Sequence, residues 1–211
     1  MLAITGASGA VYATRLLCAV GGERVDSSDA QRFREGRGSA GIASRSGVQG
    51  EKLWDAIAAA DRLLHVAQGS VWSVETARQQ AELGLLSVHH CQDYFAPIAS
   101  GSYLTAGMVI CPCSGSTLSG IAHAASQNLI QRAAEVHLKE HRKLIVVPRE
   151  TPLSVLQIEN MHRLAQAAVV LPAAPGWYHG ATSLCDLIDF VVCRILDQLG
   201  VENHAMQRWG S

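Results

Sequence analysis

The chain predicts an α/β protein built on a doubly wound parallel sheet, and three observations carry that reading. From residue 104 onward, short apolar runs alternate with longer amphipathic stretches in a β-α-β-α-β-α order, which calls for parallel strands joined by crossover helices. Two of the runs, Met108-Val-Ile-Cys111 and Leu144-Ile-Val-Val147, are apolar at consecutive positions, as strands covered on both faces are. The turns after these runs collect glycine, hydroxyl and charged residues at one edge of such a sheet, where open parallel sheets bind ligands.

Taken in order, Met1-Leu-Ala-Ile-Thr5 reads as a short strand, Gly6-Ala-Ser-Gly-Ala10 as a tight turn, and Val11, Leu16, Leu17 and Val20 as one face of a helix. From Gly21 to Gly50 the chain is polar and glycine-rich, with no apolar run of strand length, and reads as a long flexible loop. Leu53, Trp54, Ile57, Ala60, Leu63 and Leu64 recur at helical spacing, and a second helix is expected from Val74 to Leu83. A short strand follows at Leu85–Val88, then a loop containing Tyr94 to Ser102 and the strand from Met108. One helix is expected from Leu118 to about His137. Pro148 and Pro152 end the strand from Leu144, since neither can continue a ladder. An amphipathic helix with Leu156, Met161 and Leu164, a strand at Ala168–Leu171 and a last helix from Ser183 to Leu199 complete the reading.

At 211 residues the chain is expected to form a single domain, 1–211, with 21–50 its atypical part. Apolar residues at 48% against 17% charged point to surface buried between copies, hence a homo-oligomer. A net charge of -1 argues against nucleic acid or an anionic membrane as partner. No apolar run reaches the ~20 residues of a membrane span, so a cytoplasmic protein is expected. The six cysteines lie in apolar segments; neither Cys111-Pro-Cys113 nor His89-His90-Cys91 has structural-zinc spacing, and no metal is expected.

Three turns offer chemistry for an anion. The Gly6–Ala10 turn lets backbone approach a ligand at a helix start. Ser114, Ser116 and Thr117 stand where a helix begins, either as caps or as donors to a phosphate beside the first-turn amides. Arg149-Glu150 sets a guanidinium beside a carboxylate, either as a ligand site or as an ion pair closing a turn.

Together these stretches resemble the flavin prenyltransferases of the UbiX/Pad family of flavoproteins. The match runs through Thr5–Ala10, Phe95–Ser102, Met108–Ser114, Thr117-Leu-Ser-Gly120, Arg132-Ala-Ala134, Leu138-Lys-Glu140, Val147–Leu153, Leu171–His179, Asp189–Ile195 and Arg208-Trp-Gly210. The resemblance implies a flavodoxin-like or Rossmann-like fold and an oligomer built from trimers, up to a dodecamer. It implies a metal-independent enzyme that joins a dimethylallyl group from its monophosphate to N5 and C6 of reduced FMN. The product, prenyl-FMN, would serve a UbiD-type decarboxylase. By the same resemblance, Gly6, Ala7, Ser8, Ser114, Gly115, Ser116, Thr117 and Arg149 would hold FMN. Arg132, Lys139, Tyr178 and Arg194 would hold the dimethylallyl phosphate, with Trp209 at the pocket rim. Glu150, Arg149 and Lys139 would serve the chemistry. Ser27 or Ser28, and Glu35, are the nearest counterparts of a flavin-touching serine and a catalytic glutamate, in a segment whose apolar pattern departs from the family's. Two other readings are a non-catalytic FMN-binding scaffold subunit and an FMN-dependent cysteine decarboxylase-like enzyme.

Overall fold

A computed structural model describes residues 1–5, 9–21, 40–44, 55, 57–60, 82, 86–178, 180–203 and 206. Six strands form one parallel sheet: β1 (Leu2–Ile4), β2 (Ala40–Ser44), β3 (Leu86–His90), β4 (Met108–Cys113), β5 (Leu144–Pro148) and β6 (Val169–Val170). Their spatial order, β3-β2-β1-β4-β5-β6, is that of the Rossmann arrangement rather than the 2-1-3 start of flavodoxins. The order reverses between β1 and β4, the switch point beyond whose carboxyl ends such sheets bind ligands. Among the described residues five helices are bounded, α1 (Ala10–Gly21), α2 (Gly115–Ala122), α3 (Leu129–Lys139), α4 (Val155–Leu164) and α5 (Leu184–Leu199), beside helical residues at 57–60 and a short 3-10 turn at Pro97–Ala99.

Alternation along β4 and β5 explains why their sequences are apolar throughout. Val109, Cys111, Ile145 and Val147 face one layer with Leu16 of α1 and Ile188, Val191, Val192 and Ile195 of α5. Met108, Ile110, Cys113, Leu144 and Val146 face the other, with Leu118 and Ile121 of α2, Ile130, Ala133 and Ala134 of α3, and Leu164 of α4. Both faces of these central strands are therefore covered, as doubly wound sheets require.

Two expectations are corrected. Residues 21–50 do not form one uninterrupted loop: Ala40-Gly-Ile-Ala-Ser44 is β2, paired with β1 from Leu2↔Ile42 to Ile4↔Ser44 and with β3 along its length. Its two alanines, glycine and serine carry too little apolar bulk to register as a strand pattern in the sequence. The helix expected from Leu118 to His137 is two helices. Ala124 and Ser126 adopt left-handed backbone at φ 51° and 45°, and Asn128 then caps α3 by accepting from the Gln131 amide at 3.0 Å. No glycine or proline marks that break in the sequence.

The thiols behave as expected of small core residues: Cys91, Cys111, Cys113 and Cys193 are buried. Burial raises the Cys111 pKa, with Cys113 adding to the rise, and pushes Cys113 up to about 12, so neither is a thiolate near neutrality. Among the described residues no cluster of His, Cys, Asp or Glu could hold a metal ion, and no helix is long and apolar enough to cross a membrane.

Candidate functional site

The carboxyl ends of β1, β4 and β5 are held together by side chains the sequence places there. Thr5, just past β1, donates from its amide and its hydroxyl to the Pro112 carbonyl at 3.1 and 2.9 Å, and its hydroxyl accepts from the Ser114 amide at 2.8 Å. One threonine thus fixes the exit of β4 relative to that of β1. Gly9, at the start of α1, lies so close to Pro112 that an added Cβ would fall 2.6 Å from the proline Cβ. The next residues at this edge are Ser114 and Arg149, which follow the register pair Cys113↔Pro148.

Ser114 caps α2. Its hydroxyl donates to Thr117 Oγ1 at 3.0 Å, accepts from the Thr117 amide at 3.4 Å and lies 3.3 Å from Ser116 Oγ. The capping and ligand readings are compatible, because a hydroxyl cluster at a helix N-terminus leaves first-turn amides and Oγ atoms facing the same edge. Arg149 and Glu150 are exposed there.

Tyr12, in the first turn of α1, joins this group and was not singled out by the sequence. Its ring packs on the core layer containing Cys111 and Val147. Burial chiefly raises its phenol pKa, Cys111 adds to the rise, and the Arg149 guanidinium opposes both, which sets Tyr12 and Arg149 in one electrostatic neighbourhood. Its position three residues past Gly9 was the available signal.

Tyr178 and Arg194 are brought to one face of α5. The Tyr178 ring stands edge-on to Phe190, with centroids 5.9 Å apart at 88°. Phe190 and Arg194, four residues apart, share that face. Arg194 is half-exposed and pairs with Asp197 at 3.0 Å. Gly176 makes room for the ring contact: a Cβ there would lie 2.9 Å from Tyr178 Cε1 and 3.0 Å from Phe190 Cζ.

Lys139 and Arg132 are placed differently. The loop from Cys91 to Gly107 runs along α3, from the carboxyl end of β3 to the amino end of β4. Arg132 Nε donates to the Ala99 carbonyl at 3.2 Å and its Nη1 lies 3.5 Å from Glu135, which also accepts from the Ser126 hydroxyl. Lys139 ends α3 and pairs with Glu140 at 2.7 Å, and its Nζ would lie 3.0 Å from a Cβ on Gly101. This hydrogen bond and charge hold the Glu140 carboxyl below the usual carboxylate range. Arg142, beside them, donates to the Tyr103 and Gly101 carbonyls at 2.8 and 2.5 Å. Lys139, Glu140 and Arg142 surround the amino edge, where β5 begins, whereas Arg132 lies in the first turn of α3, whose Leu129 amide donates at 2.7 Å to the Cys91 carbonyl just past the carboxyl end of β3. Arg149 follows the far end of the five-residue strand β5, on the order of 15 Å away by strand rise. Within one chain, the expected grouping of Lys139 with Arg149 is therefore not formed, because a helix preceding a parallel strand must end at the strand's start. Gly6, Ala7, Ser8, Ser27, Ser28, Glu35 and Trp209 lie outside the described residues.

The profile of the family described as Flavoprotein matches residues 1–196. The chain belongs to the Flavoprotein family. This flavoprotein is 43% identical over 211 residues to the flavin prenyltransferase UbiX of Pseudomonas aeruginosa, covering 99% of this chain and 92% of that protein. It is 57% identical over 128 residues to the UbiX of Alkalihalophilus pseudofirmus; that match covers 60% of this chain and 64% of the relative, so the flavoprotein spans just under two thirds of it. Among solved structures, AnUbiX in complex with FMN and dimethylallyl pyrophosphate superposes with a TM-score of 0.73 at 30% identity, over 100% of this chain and 96% of that one. The dodecameric FMN-dependent UbiX-like decarboxylase of Escherichia coli O157:H7 gives the same score and identity over the whole of both chains.

Proposed function

We propose that this flavoprotein is a metal-independent flavin prenyltransferase, joining the dimethylallyl group of dimethylallyl monophosphate to reduced FMN. The observation that supports this most directly is the gathering of Thr5, Gly9, the Ser114–Thr117 helix start and Arg149 at one sheet edge, in a chain 43% identical to a flavin prenyltransferase over its length. The residues fit FMN. The close approach of Gly9 to Pro112 leaves backbone, not side chain, at the turn, and the Ser114, Ser116 and Thr117 hydroxyls with the α2 amides suit an ester phosphate. To this cradle the proposal assigns Gly6, Ala7, Ser8 and Gly115, with Ser28 at the flavin, and Arg149 offers its guanidinium to the ring. Reduced FMN supplies the nucleophilic N5 and C6 positions.

Ionising the allylic C–O bond leaves a carbocation and a phosphate dianion. Cationic and phenolic donors stabilise the charge developing on that phosphate, the role assigned here to Lys139, Arg132, Tyr178 and Arg194. Glu150 accepts the proton lost from C6, Glu35 acts beside it, and Trp209 closes the rim against water. Since Lys139 and Arg149 stand at opposite edges of one sheet, Lys139 comes from a second copy. A homo-oligomer built from trimers, extending to a dodecamer, accommodates this. It also covers Val155, Leu156 and Ile158 of α4, which are 52–71% exposed. The protein acts in the cytoplasm and delivers prenyl-FMN to a UbiD-type decarboxylase.

The test is anaerobic incubation of the protein with reduced FMN and either dimethylallyl monophosphate or diphosphate, followed by mass spectrometry of the flavin. Gain of one C5H8 unit with the monophosphate is expected. Flavin that binds but stays unmodified with both donors overturns the proposal in favour of a flavin-binding scaffold.

A further inference from the structure

The core layer between α1 and α5 holds one ion pair that no step above uses. Arg15 of α1 donates from Nε to Asp189 Oδ1 at 2.5 Å and from Nη2 to Oδ2 at 2.7 Å, with side chains only 13% and 8% exposed. Asp189 sits among Ile188, Val191 and Val192, where an apolar residue would complete the layer. Apolar side chains would hold two helices together at least as well, because burying two charges costs much of what their attraction returns. A fork of two parallel hydrogen bonds adds direction, which non-directional apolar contact does not supply.

We propose that Arg15–Asp189 is a positioning pair: it fixes the rotation of α5 against α1 and so sets the placement of Tyr178 and Arg194, the groups assigned above to the dimethylallyl phosphate. This rests on the prenyltransferase reading for the identity of the ligands. The geometry supports each link. α1 is anchored at its start, where Gly9 abuts Pro112 and Tyr12 packs on the layer containing Cys111. Phe190, the residue after Asp189 and about 100° round the helix, carries the Tyr178 ring, and Arg194 lies one turn further on. A roll of α5 by about 10° would move groups on its surface by about 1 Å, given a helix radius of roughly 5–6 Å. Misplacements of that size at a reacting centre cost up to a hundredfold in rate.

Two variants test it in the full-length protein. Arg15→Lys keeps the charge and loses the fork; the double variant Arg15→Met, Asp189→Leu keeps helix packing and loses direction. In whichever folds, the KM for dimethylallyl monophosphate is expected to rise at least tenfold, while the Kd for FMN stays within about twofold. The resonance of fluorine-labelled Tyr178 is expected to shift or broaden, a readout independent of turnover. Unchanged KM and an unchanged Tyr178 resonance would show that the pair merely joins two helices. Equal losses of FMN and allyl phosphate affinity would show general loosening and overturn the proposal equally. If the wild-type protein transfers no C5 unit, the prenyltransferase reading fails, and the Tyr178 resonance alone decides whether the pair sets the helix rotation.

Discussion

His137 is buried on α3 with both ring nitrogens engaged: Nδ1 donates to the Ala133 carbonyl at 2.7 Å and Nε2 accepts from the Thr105 hydroxyl at 2.8 Å. Burial, chiefly, lowers its pKa to about 4, the Ala133 contact opposes this, and the N-terminus and Arg142 lower it further. The folded value lies below the unfolded one of about 6.5, so the unfolded chain binds the extra proton first. Stability from this group is complete above about pH 6.5 and is lost as pH falls toward 4, by roughly 2–3 kcal/mol at most. Urea unfolding at pH 7 and 4.5 should show that loss in the wild type and a smaller one in His137→Gln; equal losses would remove His137 as the cause. Arg194→Ala should raise the KM for dimethylallyl monophosphate about tenfold to a hundredfold, as loss of a charged hydrogen bond costs about 1.5–3 kcal/mol. Its half-buried partner Asp197 keeps a hydrogen bond from Asn203 at 3.1 Å when Arg194 is removed, so thermal unfolding should barely move; a large drop would make Arg194 structural. Residues such as Ser114 and Arg149 were legible because motifs sit at strand ends. Arg15, Tyr12 and His137 were not, since a helix face shows its partner only after folding.

At the scale of elements, the loop from β6 to α5 depends on Gly176. Gly176→Ala would push a methyl into the Tyr178 and Phe190 rings, and aromatic rings cannot yield like the tip of a flexible chain. The expected result is a stable protein, within about 1–3 kcal/mol of wild type, that binds FMN normally and dimethylallyl monophosphate at least tenfold more weakly. Calorimetry with each ligand checks this, and unchanged affinity for both would detach Tyr178 from the substrate. The strands β4 and β5 were readable because burial on two faces demands continuous apolar residues. β2 was not, because Ala40-Gly-Ile-Ala-Ser44 has one large aliphatic residue in five, too few to read as an apolar run, and its ladders to β1 and β3 show only after folding. The break between α2 and α3 was equally hidden: it uses left-handed backbone at alanine and serine, residues that ordinarily extend a helix or cap one.

For the whole molecule, the separation of Lys139 and Arg149 gives a prediction that a single chain could not. Lys139→Ala and Arg149→Ala proteins should each be inactive, and subunits unfolded and reassembled together should regain prenyl transfer, because some sites then combine an intact lysine from one copy with an intact arginine from another. No recovery on mixing would place both residues in one chain's site. The sequence predicted an oligomer from composition but could not show which residues meet across copies, since that depends on which sheet edge each occupies. The central position of β1 also bears on how the chain folds. Its partner β4 lies over a hundred residues downstream, Leu2 pairing with Val109, while β4, β5 and β6 with α2 to α5 are joined by short connections. Closing so long a loop costs roughly 4 kcal/mol of chain entropy, repaid only once both strands are in place. On loop-closure cost alone, the layers built on β4, β5 and β6 are expected to form a template on which β1 docks late.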